Sequence, residues 1–334
     1  MPSTSPRHNR SLTVPAVALA ALLAVPVLAC QVPVFRYALE RWQADQFEVV
    51  ILHDAPLTLD AVGRVEQLEE SGVLSPVAGN FHVRTVAADA IRDPRLQQAW
   101  KQHGQTGTPL LVAMYPAGSR DVPDRVAWLG PLKDSVTQHI ADSPVRQKIS
   151  KKLVEGTSAV WIFVPGSDKQ QNEAALETLQ EQVAYNQKNL ELPVQDEIES
   201  EEDLVQVSGL ELRIDFSIVT LPRDAPQEQF LLSMLLNSEP DLADLDQPMA
   251  FPVIGRGRVL YGLVGKGINP ETIGAACRFL VGPCSCQVKN QNPGFDLLMA
   301  KAWDMKLFGK NPPPVDNTTP KTDKPVLLAI PPGK

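Results

Sequence analysis

Cys277, Cys284 and Cys286 form the one dense group of side chains able to do sulfur or metal chemistry, spaced C-x6-C-x-C. In an exported chain such thiols tend to be oxidised, and a disulfide from Cys277 to Cys284 or Cys286 is the expected outcome. Two other chemistries fit the same residues. A Cys284-Ser285-Cys286 bond closes a tight, strained ring, which makes it a readily reduced redox pair. Three thiolates also suit a soft metal such as copper or zinc, although no histidine stands nearby. His53-Asp54 offers an acid–base couple at the end of a strand-like run, where α/β sheets hold ligands. The same stretch also reads as a helix cap, with Asp54 or Thr58 accepting from the amides that follow. The five histidines (His8, His53, His82, His103, His139) show no metal-ligand spacing.

Glycine-rich stretches invite a phosphate-loop reading and do not meet it. Gly255-Arg256-Gly257-Arg258 and Gly262 to Gly267 fit neither the dinucleotide nor the Walker fingerprint. They read as a hairpin turn, with Arg256 and Arg258 as weak candidates for an anion or an acidic partner. No Gly-x-Ser-x-Gly motif is present, and no cofactor is expected.

The elements that must position these residues lie between two ends of different character. Residues 1–29 combine Arg7 and Arg10, an apolar run from Val14 to Ala29, and a small residue before Cys30. This is the layout of a secretory signal, too short for a spanning helix of about 20 residues. Val27-Leu28-Ala29-Cys30 resembles a bacterial lipobox, which implies lipidation of Cys30; the alternatives are a secreted or periplasmic soluble protein, an uncleaved anchor, or Cys30 as a buried or paired thiol. Removing residues 1–29 takes away two positive charges and no acid, moving the net charge from −8 to −10. That balance argues against nucleic-acid binding. At the far end, residues 307–334 read as a disordered tail, with seven prolines between Asn311 and Lys334.

Between these ends the periodicities repeat. The first half, residues 30–142, reads as helix (Val34–Gln43), strand (Phe47–His53), helix (Leu57–Glu70) and strand (Phe81–Val86). A helix to His103, strands at Leu110–Tyr115 and Arg125–Leu129, and a helix at Lys133–Ile140 follow. The second half, residues 143–306, gives the same order: helix Val145–Val154, strand Ala159–Val164, helix Asn172–Leu190, strand Leu212–Thr220 and helix Gln227–Leu236. Strand runs at Pro248–Ile254 and Val259–Val264 and a helix from Pro270 to Leu280 complete it. Glu191 to Asp203 interrupts this half with seven acids in 13 residues and no calcium-loop spacing. Alternating strands and helices predict an α/β fold, each half a central mixed sheet covered by helices.

The order, and the run His103-Gly104-Gln105-Thr106-Gly107-Thr108-Pro109 before an apolar strand, resembles the thioredoxin-like family, used here twice in tandem. The resemblance implies a cis-proline at Pro109 and, in the second half, at Pro252. It also implies a Cys-x-x-Cys at each first strand-to-helix corner. The corners here read His53-Asp54-Ala55-Pro56 and Val164-Pro165-Gly166-Ser167-Asp168, without cysteine. So the resemblance implies the fold and argues against its usual redox chemistry. Cys30 to Trp42 is also similar to the mature start of a group of bacterial secreted proteins with no known activity. The reading is a non-catalytic binding or scaffold protein on the extracytoplasmic face of a bacterial membrane, partnered with an envelope protein or membrane complex. The alternative is a thiol-disulfide or metal-handling protein using the cysteine cluster.

Overall fold

The computed structural model describes residues 32–72, 79–105, 107–117, 122, 126–193, 208–284 and 289–309. The signal-like segment 1–29, Cys30, Cys286, residues 194–203 of the acidic stretch and residues 310–334 lie outside these. Strand β1 (Phe47–His53) is the centre of the first sheet, and its Val49, Val50, Ile51 and Leu52 are all buried. A strand covered on both faces needs a continuous apolar run, and FEVVILH supplies one. β1 pairs in parallel with β2 (Phe81–Ala87) and antiparallel with β3 (Leu110–Met114); β4 (Val126–Pro131) completes the order β2-β1-β3-β4.

The second sheet repeats this scheme. β5 (Ala159–Val164) pairs in parallel with β6 (Phe216–Thr220) and antiparallel with β7 (Met249–Ile254). β7 then pairs with two short strands, β8 (Arg258–Val259) and β9 (Leu263–Val264), where one strand over 259–264 was predicted. The break falls opposite Pro252, which has no N–H to continue the ladder. A late strand, β10 (Phe295–Asp296), adds to β8. The fold is therefore α/β, with two mixed sheets flanked by helices.

Two prolines depart from expectation. No peptide bond among the described residues is cis, so Pro109 and Pro252 follow trans bonds. Pro252 moreover lies inside β7, opposite Trp161. The residue that matches Pro109 is Pro248. Each stands directly before the antiparallel strand of its sheet. Each carbonyl accepts from the amide just past the hairpin partner, Leu132 at 2.9 Å and Gly265 at 2.8 Å. An extended trans chain keeps those carbonyls in line with the partner strand.

Alternate side chains of a strand point to opposite faces, and this parity divides the core. Phe47, Val49 and Ile51 of β1 share one cluster with Val160, Ile162 and Val164 of β5 and with Phe251 and Val253 of β7. Between the sheets lie α2 (Leu59–Ser71), α5 (Pro144–Val154) and α7 (Gln229–Leu236). The outward face of the first sheet, Val50, Leu52 and Val112, is covered by Leu96 and Ala99 of α3 (Pro94–His103). The outward face of the second, with Trp161 and Phe163, lies under α6 (Lys169–Asn189) and α8 (Pro270–Val281). Helices α3, α5 and α8 each open with a capping residue followed by proline: Asp93-Pro94, Ser143-Pro144 and Asn269-Pro270. Among the described residues, no helix is long and apolar enough to cross a membrane.

The halves exchange their ends. Helix α1 (Val34–Glu40) comes first in the chain but buries Val34, Phe35, Tyr37 and Ala38 in the outer cluster of the second sheet. Conversely, the segment after β10 returns to the first half. There Asn80 donates to the Leu297 carbonyl at 3.1 Å and accepts from the Met299 amide at 2.7 Å. The last described helix, α9 (Trp303–Phe308), buries Leu307 in the shared core, so the tail does not start at 307 as predicted.

Arg146 fastens this junction. It is 0% exposed. Its guanidinium donates to the carbonyl of Ile140 at 2.7 Å, at the end of α4 (Asp134–Ile140), and to that of Leu298 at 2.8 Å. It also donates to the His139 carbonyl and, at 3.1 Å, to the Ser143 hydroxyl. Replacing it, as in Arg146→Met, leaves those buried carbonyls without a donor, at about 1–3 kcal/mol each. Urea unfolding should therefore show a loss of about 3 kcal/mol or more. In the native protein, tryptophan fluorescence and far-UV circular dichroism should trace one coincident transition; two separate transitions would contradict the shared core.

Candidate functional site

The first strand-to-helix corner is open. β1 ends at His53, the chain turns through Asp54 to Thr58, and α2 begins at Leu59. Thr58 caps the helix, accepting from the Ala61 amide at 3.3 Å. His53 Nδ1 donates to the Ala55 carbonyl at 2.8 Å, and Asp54 accepts from the Gly107 amide at 3.0 Å. The adjacent His and Asp thus each engage backbone rather than each other, and no acid–base dyad forms. Instead Asp54 ties the corner to the loop ahead of β3, where Gly107 takes a φ of 73° that suits glycine. Between corner and loop lies a cleft of about 20 Å3, bounded by residues 53–58, Gly107 and Pro109. That is room for about one water molecule. Its rim is mixed: Asp54 and Thr58 are exposed beside Ala55 and Pro56, and Leu59 just beyond it is 90% exposed. No cysteine, serine or lysine lines it.

The second corner occupies the equivalent place and is filled. Asp168 caps α6 by accepting from Gln171 at 3.0 Å. Asn172 grips Gly166 with both amide atoms, at 2.7 and 2.8 Å. Asp246 accepts from the Ser167 amide at 3.1 Å, and Arg223 donates to the carbonyls of Pro165 and Leu245. A β-carbon at Gly166 would stand 2.6 Å from the Asp246 carbonyl oxygen. The segment ahead of β7 therefore sits directly on this corner, where the first half leaves a cleft.

No protein-family model matches this chain, and no curated protein matches it either.

Arg256 and Arg258, candidates for an anion site, are both buried and occupied within the fold. Arg256 donates to the Leu39 carbonyl and to Gln43, both at 2.9 Å, and pairs with Asp304 at 2.8 Å. Arg258 donates to the carbonyls of Asn292 and Pro293, pairs with Asp296 at 3.3 Å and lies over Trp42. The glycines around Arg256 turn the hairpin, with φ of 58° at Gly255 and 99° at Gly257. Sequence reading missed the acids that answer these arginines. Asp296 is buried against Lys289, and Lys289 also pairs with Asp45 at 2.9 Å. Burial raises the Asp296 carboxyl, but Lys289 and Arg258 outweigh it and hold it below the ordinary range; burial and the Asp296 charge push Asp45 up. These groups lie far apart in sequence, and no spacing pattern announces them.

The cysteines do not converge on a reactive centre among the described residues. No disulfide joins Cys277 to Cys284, one of the two pairings expected; Cys286, the other expected partner, lies outside the described residues. Cys277 faces the core from α8, whereas Cys284 lies past the helix end, where its amide donates to the Val32 carbonyl at 2.8 Å. Burial pushes the Cys277 thiol up to about 12. No group of three or more metal-ligating side chains is found among the described residues. One further concavity, about 450 Å3, lies between Val183 and Gln187 of α6 and the edge strand β6. There Gln187 accepts from the Phe216 amide at 2.8 Å.

Two measurements check these assignments. Gly166→Ala should destabilise the fold by about 1–3 kcal/mol, the cost of overpacking, in a thermal melt. An unchanged melting temperature would mean the second corner is not closed. At pH 8 the Cys277 thiol should stay unmodified by a thiol reagent in the native protein and react at once in denaturant. Fast native labelling at Cys277 would contradict its burial and raised pKa.

Proposed function

We propose that this chain is a non-catalytic binding protein, built on two tandem thioredoxin-like scaffolds and held at the extracytoplasmic face of a bacterial membrane by lipid on Cys30. The strand order supports the thioredoxin-like reading: in each sheet a parallel pair is followed by an antiparallel hairpin, with helices on both faces. Each corner that carries the sulfur pair in that family holds capping and loop-tying residues instead.

One observation carries the binding role. The first corner keeps a shaped cleft with an exposed leucine just beyond it and no cysteine, serine or lysine lining it, while the second corner is filled by the chain itself. Exposed apolar side chains grouped at a cleft, here Ala55, Pro56 and Leu59, suit a contact surface. The partner it fits is an envelope protein presenting an apolar side chain to Leu59 and Pro56. Thiol or metal chemistry gains nothing from Cys277, which is enclosed and protonated at neutral pH.

A photo-crosslinking residue in place of Leu59 tests this in intact cells, with Tyr185 of α6, also exposed, as the control position. Position 59 should yield a discrete protein adduct several-fold stronger than position 185. Equal yields, or turnover of a disulfide substrate by the purified protein, would defeat the reading.

A further inference from the structure

We infer that the C-terminal end of α8, with the chain paired beside it, is a surface seated on the lipid headgroups of the bilayer. This inference rests on the anchoring at Cys30 proposed above.

Val32, the first described residue, is already buried. Its carbonyl accepts from the Cys284 amide at 2.8 Å, and the Val34 amide donates to the Gly282 carbonyl at 3.0 Å. Pro33 and Pro283 face each other in this antiparallel bridge. Helix α1 then starts at Val34 with all seven residues buried. No spacer separates the anchor position from the folded body. Two Cα–Cα steps of about 3.8 Å place the Cys30 backbone within about 8 Å of Val32, whatever conformation Gln31 adopts. The headgroup layer of one leaflet is about 5–8 Å thick. A lipid on Cys30 therefore draws the Val32–Pro283 bridge down to the headgroups, and however the body tilts about that tether, the bridge stays within its short reach.

The surface around that bridge suits such a seat. Pro283 is exposed, and Phe279 is half-buried one turn earlier on α8. Arg278 is exposed in the last turn of α8, and none of the ion pairs among the described residues engages it. The Arg278 guanidinium lies back along α8 beside Gly274, and a guanidinium of this kind can meet a phosphate headgroup at the interface. The formal charge of the chain is negative, so electrostatics alone would not bring it to an anionic membrane. The tether supplies the proximity, and Arg278 a local contact of the right sign.

The test uses the full chain expressed with its N-terminal segment and reconstituted into vesicles of phosphatidylethanolamine and phosphatidylglycerol. Benzoylphenylalanine replaces Pro283 in one variant and Leu59 in another, and lipid adducts are counted by mass after illumination. The mass of the N-terminal peptide reports in parallel whether Cys30 is acylated. With Cys30 acylated, position 283 should give several-fold more lipid adduct than position 59. A Gly-Ser spacer of about 15 residues between Gln31 and Val32, reaching roughly 20 Å, should abolish that preference while the protein stays in the vesicles. Acylated protein with equal adducts at both positions overturns the seating and leaves the anchor standing. Cys30 found unmodified, or in a disulfide, overturns the anchor and the seating with it.

Discussion

A guanidinium sealed in an apolar core must find an acceptor for nearly every N–H it carries, and Arg146 meets that demand across the junction of the two halves. Its planar fork reaches the end of α4, the start of α5 and the chain beyond β10 at once. Burial pulls its pKa down to about 10, so it stays charged at neutral pH. Ser143, which accepts from Arg146, donates to the buried Glu228 at 2.6 Å, and Glu228 also accepts from the Val145 amide at 2.8 Å. Apolar surfaces alone would let two sheets slide over a shared helical layer. This polar knot admits one arrangement, because any other leaves a charge or a carbonyl unsatisfied in the dark of the core.

With the halves fixed, their divergence becomes interpretable. The two sheets share strand order, and Pro109 and Pro248 hold equivalent places with equivalent carbonyl bonds. The corners differ because the segments ahead of β3 and β7 differ. Before β3, the Gly107–Asp54 hydrogen bond ties the loop to β1's end across a small cleft. Before β7, Asp246 lies against Gly166 with no space for a side chain. The same scaffold thus offers one recess and one closed end. The outward helices differ as well: a single short helix covers the first sheet, and three cover the second.

Much of this was legible in the residues. FEVVILH, AVWIFV and LLVAM are apolar runs of strand length, and the capping residues ahead of Pro94 and Pro270 mark helix starts. The alternation of the two periods produced the α/β order. What the sequence concealed was tertiary. The period of α1 shows an apolar face but not which sheet it will cover. Arg256 and Arg258 look available because their acceptors, at 39–43 and 292–304, lie far along the chain. The cis-proline expectation at Pro109 and Pro252 rests on likeness alone, and in the second half it is Pro248, not Pro252, that stands where Pro109 does. β10 and α9 are short, and each is defined by what it packs on rather than by any pattern of its own. At the first corner, His53-Asp54 was legible as a pair of interest; that each would turn to a different backbone group was not.

The traded ends set an order of events for the newborn chain. A polypeptide emerging from its N-terminus finds nothing for α1 to rest on until residue 284 has followed, and Asn80 waits for Leu297 and Met299. Closure therefore comes last, with almost the whole chain in hand. Severing the chain near residue 142 would leave two fragments, each lacking a piece held by the other.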